Sequence, residues 1–229
     1  FTHAAKIYDL PVNPCKKVKR MGNSDSRSLN FWTLDEYKQF IQTMEPGTRY
    51  YLMFEMLFWT GCRIGELLAI TKADINFEKN QLSINKTYCR TGMQDIITEP
   101  KTKQSFRTIE IPEFLKEEIK EFVDGHYGMP DTERLFPVVQ EAVQHKMKRQ
   151  IELARVKKIR VHDLRHSHVA YLIEKGVEPL LIRDRLGHKD IRITLNTYGH
   201  LYPNQQRKIA NLLDNENAVT GSGEERDEC

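Results

Sequence analysis

The run Tyr50-Tyr-Leu-Met-Phe-Glu-Met-Leu-Phe-Trp59-Thr-Gly-Cys-Arg-Ile-Gly-Glu-Leu67 decides what kind of protein this is. Tyr50 to Trp59 is the longest apolar run in the chain. It contains Glu55 and falls far short of the roughly 20 apolar residues a membrane span needs. It therefore predicts a buried helix ending at Gly61, a residue suited to a left-handed cap. A second short helix is expected over Ile64–Ile70, so the core is helical and the rest of the chain is arranged around it.

Upstream, Thr33 and Glu36 have the spacing of a capping box, and Trp32 and Tyr37 that of a hydrophobic staple, for a helix running to Met44. Downstream the apolar period changes from helix to strand over Gln81–Tyr88, Gln94–Thr98 and Phe106–Ile111. Helical patterns return at Glu113–Val123, Val138 to about Val156, His162–Lys175 before Gly176, Pro179–Leu186 before Gly187, and Ile191–Tyr198. A short helical pattern, His3–Leu10, opens the chain, and no internal repeat is evident. The expected class is mainly α with a small three-stranded antiparallel sheet.

The chain has 229 residues, 39% of them hydrophobic and 29% charged, and a mean hydropathy of −0.59. That describes a soluble globular protein large enough to bury its own core, and it excludes collagen-like and wholly disordered chains. No secretory signal opens it. Cys15, Cys62, Cys89 and Cys229 show no paired spacing, which favours reduced thiols in a cytoplasmic protein over disulfides or a cysteine zinc site. The net charge of +3 conceals a basic body, because Asp214–Cys229 holds six acids and one base, leaving +8 on the first 213 residues. Basic residues cluster at Lys16, Lys17, Lys19 and Arg20, and again between Gln144 and Arg165, a pattern suited to a polyphosphate partner. Residues 1–29 look like the end of a preceding unit with a linker. Residues 30–213 form the main domain, and residues 214–229 an acidic, disordered tail.

Five of the eight histidines lie between His162 and His200. His162 and His166, one helical turn apart, invite a metal reading, but HExxH and its relatives are absent. Arg165 stands three residues after His162 on the same helix face, where a cation disfavours a metal and favours an anion. No metal or cofactor is expected, and the constellation suits a phosphate.

Three stretches then carry a family resemblance in order: Thr60-Gly-Cys-Arg-Ile-Gly-Glu-Leu, His162-Asp-Leu-Arg-His, and Leu186-Gly-His-Lys followed by Asn196-Thr-Tyr198-Gly-His-Leu. A hairpin with Pro100-Lys-Thr-Lys lies between the first and second. Over about Trp32 to Leu213 the chain resembles the catalytic domain of tyrosine recombinases, in particular the integrases of conjugative transposons and temperate phages. The resemblance implies that Tyr198 attacks a DNA phosphodiester to leave a 3′-phosphotyrosyl link, which stores the bond energy for rejoining. Arg63 and Arg165 would clamp the nonbridging oxygens, and His188 would donate a third hydrogen bond. His162 would accept the Tyr198 proton, and Lys101 would protonate the leaving 5′ hydroxyl, with Lys103 as the competing lysine. Glu66 matches an accessory acidic position. Residues 1–29 would be the remnant of a core-binding domain and its basic linker, and Cys62 fills a position that is usually apolar.

The same resemblance implies double-stranded DNA at attachment or transposon-end sites as partner and a homotetramer on DNA, the isolated chain being monomeric. The protein would work in the bacterial cytoplasm, associated with the nucleoid when bound. Lys146, Lys148, Arg149, Lys157 and Lys158 are the candidate DNA contacts. After Pro203, Asn204–Leu213 is expected to form a tail helix, with Ile209, Leu212 and Leu213 on one face. His166, His168 and His200 are read as packing or supporting groups, Arg63 with Glu66 as a possible plain helix pair, and Tyr198 as a possible core aromatic. Two rivals remain: a type IB topoisomerase, and a nonenzymatic module in which Pro179–Leu186 and Ile191–Tyr198 act as a helix-turn-helix. The latter leaves Arg63, Lys101, Arg165 and His188 without a task.

Overall fold

The computed structural model describes residues 1–8, 11, 13–16, 30–99, 106–126, 128–199, 210 and 213–214. Lys101, Lys103, His200, Cys229 and all of the expected tail helix except Ala210 and Leu213, which are helical, lie outside them. Around a short opening helix α1 (Thr2–Ile7) and the main body, the elements run α2 (Leu34–Ile41), α3 (Arg49–Thr60), α4 (Ile64–Leu67), β1 (Ile75–Asn76), β2 (Gln81–Ile84), β3 (Thr87–Thr91), β4 (Gln94–Thr98), β5 (Arg107–Glu110), α5 (Glu113–Asp124), α6 (Gln140–Ala154), α7 (Asp163–Glu174), α8 (Pro179–Leu186) and α9 (Ile191–Tyr198).

The run Leu52–Phe58 on α3 is buried throughout, and α2, α5 and α7 pack around it. No helix among the described residues is long and apolar enough to cross a membrane. The α2 capping box forms as expected: Thr33 Oγ1 accepts from the Glu36 amide at 3.3 Å, and Glu36 Oε2 accepts from the Thr33 amide at 2.9 Å. The helix ends at Ile41 rather than Met44, though Met44 is still buried. Trp32 packs on Phe40 with ring centroids 4.8 Å apart, while Tyr37 stacks on Phe58 of α3 at 3.7 Å, so each aromatic of the expected staple finds its own partner.

Gly61 ends α3 in the left-handed region, with φ 65°, and leaves no room for a side chain: a Cβ there would sit 2.6 Å from Cδ2 of His168. The same stop orients α4 so that Gly65 touches the β3–β4 ribbon, where a Cβ would come within 2.8 Å of both the Thr87 hydroxyl and the Tyr88 carbonyl.

The strands divide differently from the sequence expectation. Asn85 and Lys86 turn down onto the Asp74 carboxylate, at 3.0 and 2.6 Å, which breaks Gln81–Tyr88 into β2 and β3. The three-stranded antiparallel sheet has the order β1-β2-β5, with Leu82 opposite Ile109 on its buried face. Its third strand is Ile75–Asn76 and not Gln94–Thr98, which pairs with β3 as a separate two-stranded ribbon. Tyr88 and Arg134 fasten that ribbon to the body, the guanidinium carbon lying 4.3 Å from the ring centroid.

A second, smaller apolar cluster joins Val169 and Ile173 of α7 to Ile182 and Leu186 of α8 and the ring of Tyr198 on α9. Gly187, again left-handed at φ 66°, makes the turn between α8 and α9.

Candidate active site

Arg63 is the N-cap of α4, so its backbone amide and side chain both face the first turn of that helix. Glu66 answers both: Oε2 accepts from the Arg63 amide and Oε1 from its Nη1, each at 2.8 Å. Glu66 is buried, and its other partner is a residue the sequence reading missed. Arg107 on β5 meets the carboxylate at two points, Nη1 to Oε1 at 3.1 Å and Nη2 to Oε2 at 2.8 Å, and donates from Nε to the Arg185 carbonyl at 2.8 Å. Burial opposes ionisation of Glu66, but the hydrogen bonds and charge of Arg107, followed by those of Arg63, outweigh it and hold the carboxyl at about 2. Glu66 is thus an anion at neutral pH held between two arginines, more than a partner in an exposed helix pair. Arg107 left no signal in the sequence because its partner lies 41 positions away on another element.

Arg165 is 3% exposed on α7 and is held by two turns that the two left-handed glycines create. Nη1 donates to the Gly61 carbonyl at 2.8 Å and Nη2 to the Leu186 carbonyl at 2.7 Å. Burial and then the charge of Arg63 lower its pKa to about 9, which leaves it cationic at neutral pH. His188 follows the α8 stop and pairs through Nδ1 with Thr194 Oγ1 of α9 at 2.9 Å. Burial, then Arg165 and Arg63, push its pKa down to about 4, so the ring is neutral at physiological pH.

Tyr198 combines two of the sequence readings. Its ring is a core aromatic, 2% exposed, while its hydroxyl is polar-bonded, with Oη 2.5 Å from Nδ1 of His166. Burial raises the phenol to about 12 despite the nearby positive charge of Arg165. The contact with His166 departs from the expectation that His162 would partner Tyr198. His162 stands at the N-terminus of α7, exposed, and meets His166 edge to face at 5.3 Å. It lines a different space, a cavity of about 560 Å³ with Ile64, Met147, Lys148, Lys158 and Arg160. Desolvation lowers the pKa of both histidines. For His162 the next cause is the charge of Arg165, and for His166 it is His162.

His168 is packed away, as expected. It is 2% exposed, its Nε2 accepts from Arg185 Nε at 3.2 Å, and burial brings its pKa to about 3. Arg185, also missed, ties α8 to the ends of α3 and β5 through the carbonyls of Trp59 and Glu110, both at 3.0 Å. Cys62 is buried, and its thiol is pushed up to about 11, so it behaves as an apolar residue. Among the described residues no three His, Cys, Asp or Glu side chains are grouped to hold a metal ion.

The candidate DNA contacts have different surroundings. Lys148 and Lys158 border the cavity that His162 lines, and Arg149 is exposed on α6. Lys146 lies over the ring of Tyr50 at 5.7 Å and Lys157 over that of Phe31 at 5.6 Å.

Residues 30–205 match the model of the phage integrase family. The chain is 32% identical to the ICEBs1 integrase of Bacillus subtilis, over 93% of this chain and 63% of that protein. It is 28% identical to a XerC-like tyrosine recombinase of Caldanaerobacter subterraneus, over 93% of this chain and 62% of that protein. It thus spans less than two thirds of the length of these curated relatives. Its fold matches the integrase of the Tn1549 transposon, solved with transposon right end DNA, at a TM-score of 0.66 and 23% identity, covering 86% of this chain and 69% of that one.

Proposed function

Because the chain belongs to the phage integrase family, we propose that it is the catalytic part of a site-specific recombinase that cuts and rejoins duplex DNA through Tyr198. The observation that carries this is Arg165, a buried guanidinium fixed by the carbonyls of Gly61 and Leu186, within electrostatic reach of Arg63, His188 and Tyr198. Two fixed guanidinium groups and a neutral imidazole suit the extra negative charge of a pentacovalent phosphorus, and they need no metal to do it. His188 can donate to phosphate from Nε2 in the tautomer whose Nδ1 accepts from the Thr194 hydroxyl. Glu66 fixes Arg63. Lys101 is the proposed acid for the 5′ hydroxyl, and His162 faces the cavity that Lys148 and Lys158 border.

On this reading the partner is double-stranded DNA at the ends or attachment site of a mobile element. Lys148, Arg149 and Lys158 lie on phosphates, and Lys146 and Lys157 contribute from beside their aromatic rings. Each tyrosine forms one link, and exchanging two duplexes breaks four strands, so four copies assemble on DNA while the free chain is a monomer. Residues 30–213 form the catalytic unit, residues 1–29 end a core-binding unit and linker, and residues 214–229 are a tail. The site of action is the bacterial nucleoid. The test is a nicked duplex that traps the cleaved strand. The unaltered protein yields a denaturant-resistant adduct, and Tyr198→Phe yields none while binding DNA within a few fold of it. An adduct that survives this substitution removes Tyr198 from its role.

A further inference from the structure

The shortest polar contact of Tyr198 is with His166, and the surroundings of His166 suit a proton acceptor better than a packing group. His166 lies one turn beyond His162 on α7, on the face that meets α9. Its side chain is 16% exposed, and its Nδ1 is 2.5 Å from Tyr198 Oη. Its other nitrogen, Nε2, is 4.0 Å from Oδ1 of Asp163. Asp163 is itself held in place, taking hydrogen bonds from the Arg160 amide at 2.9 Å, Nε at 3.1 Å and Nη2 at 2.8 Å.

We propose that His166 is a catalytic residue, the acceptor of the Tyr198 proton, with the Asp163 carboxylate as the negative charge beside its ring. The assignment rests on the recombinase reading above. In cleavage the Tyr198 hydroxyl gives its proton to Nδ1 as the bond from Oη to phosphorus forms. The bond from phosphorus to the 5′ oxygen breaks, and that oxygen takes a proton from a general acid or solvent. In rejoining, a 5′ hydroxyl gives its proton to the conjugate base of that acid or to solvent as it attacks phosphorus, the bond to Oη breaks, and the imidazolium returns the proton to Oη. The Asp163 carboxylate, 4.0 Å from Nε2 and so beyond hydrogen-bond reach, supplies a negative charge that favours the imidazolium.

The charges around the ring support this. His162, Arg160 and Arg165 from α7 and its approach face it, as do His188 from the α8–α9 turn and Tyr198 from α9, with Asp163 as the opposing charge. Burial, followed by the charges of His162, Arg165 and Arg160, lowers the pKa of His166, which favours a neutral ring with a lone pair for the phenol. His162 has a different outlook, towards the cavity bordered by Lys148 and Lys158.

The competing account is that His166 merely stores a buried phenol, and single-turnover cleavage of the nicked duplex separates the two. His166→Ala is expected to cleave about 100-fold more slowly, the scale of a missing general base, with DNA affinity and Tm close to the parent. His166→Asn, which can hydrogen-bond but not carry the proton, stays as slow, and added imidazole restores His166→Ala at least tenfold. Unchanged or faster cleavage by His166→Ala overturns the assignment, as does full activity of His166→Asn. Nitrogen NMR of histidine-labelled, DNA-free protein checks the contact without relying on a His166 variant. An unprotonated Nδ1 whose shift moves in Tyr198→Phe supports the assignment, and a protonated Nδ1 at neutral pH overturns it. An unaltered protein that forms no adduct sinks the recombinase reading and this assignment together; an adduct undiminished in His166→Ala sinks this assignment alone.

Discussion

Arg107 and Glu66 form a two-point ion pair in which each side chain is 5% exposed, and the same carboxylate holds Arg63 by side chain and backbone. Breaking such a pair on one side strands a buried charge. Arg107→Ala is therefore expected to lower stability by about 3–5 kcal/mol. The double variant Arg107→Met with Glu66→Gln, which removes both charges, is expected to recover most of that in denaturant melts. In adduct formation the double variant stays slow, because Arg63 has lost its anchor; a double variant with parental cleavage rate would show that the pair serves stability alone.

Gly61→Ala tests the left-handed stop. The substitution meets a backbone angle that disfavours a side chain and a ring atom of His168 2.6 Å from the new Cβ. It is expected to cost about 2 kcal/mol or more in chemical denaturation. Because the Gly61 carbonyl anchors Arg165, cleavage should fall further than the loss of folded protein accounts for; a fall matching the folded fraction alone would count against that coupling.

Stability should depend on pH through Glu118 on α5. Burial, and then the charge of Glu55, raise its pKa from 4.5 to about 7, and its Oε2 is buried with no hydrogen-bond partner among the described residues. The folded state holds that proton more tightly than the unfolded one, so the stabilisation is complete below about pH 4.5 and drains away as pH rises through 7. Glu66 works in the opposite sense: its contribution is complete above pH 4.5 and is lost as pH falls towards 2. Glu118→Gln should flatten the Tm profile between pH 5 and 8 and raise Tm at the upper end. Parallel profiles for variant and parent would refute this.

Replacing Lys148 and Arg149 together by Ala should weaken DNA binding and reduce the slope of log affinity against log salt by roughly one unit for each phosphate no longer neutralised. Titrations at several salt concentrations read this directly. An unchanged slope would leave those side chains as solvated cations.

Local signals wrote much of the fold into the sequence. The Thr33–Glu36 box, Gly61 and Gly187 mark helix boundaries within a few residues, and α8, α9 and β4 appear where the pattern placed them. The sheet was less legible because Ile75–Asn76, two residues long, has no period to detect, and because the break at Asn85 depends on Asp74, a side chain 11 positions away. In the site, Arg63, Arg165, His188 and Tyr198 lie in recognisable stretches. Arg107, Arg185 and the bond between His166 and Tyr198 depend on pairings 17 to 126 residues apart, which no window of sequence contains.

The two carbonyls that fix Arg165 come from positions 104 residues before it and 21 after it. During synthesis the first is made early, but the guanidinium lacks its second anchor until Leu186 has left the ribosome, and the tyrosine follows twelve residues later still. A growing or truncated chain therefore holds no assembled phosphate clamp. On the proposed function, strand breakage waits for the completed domain.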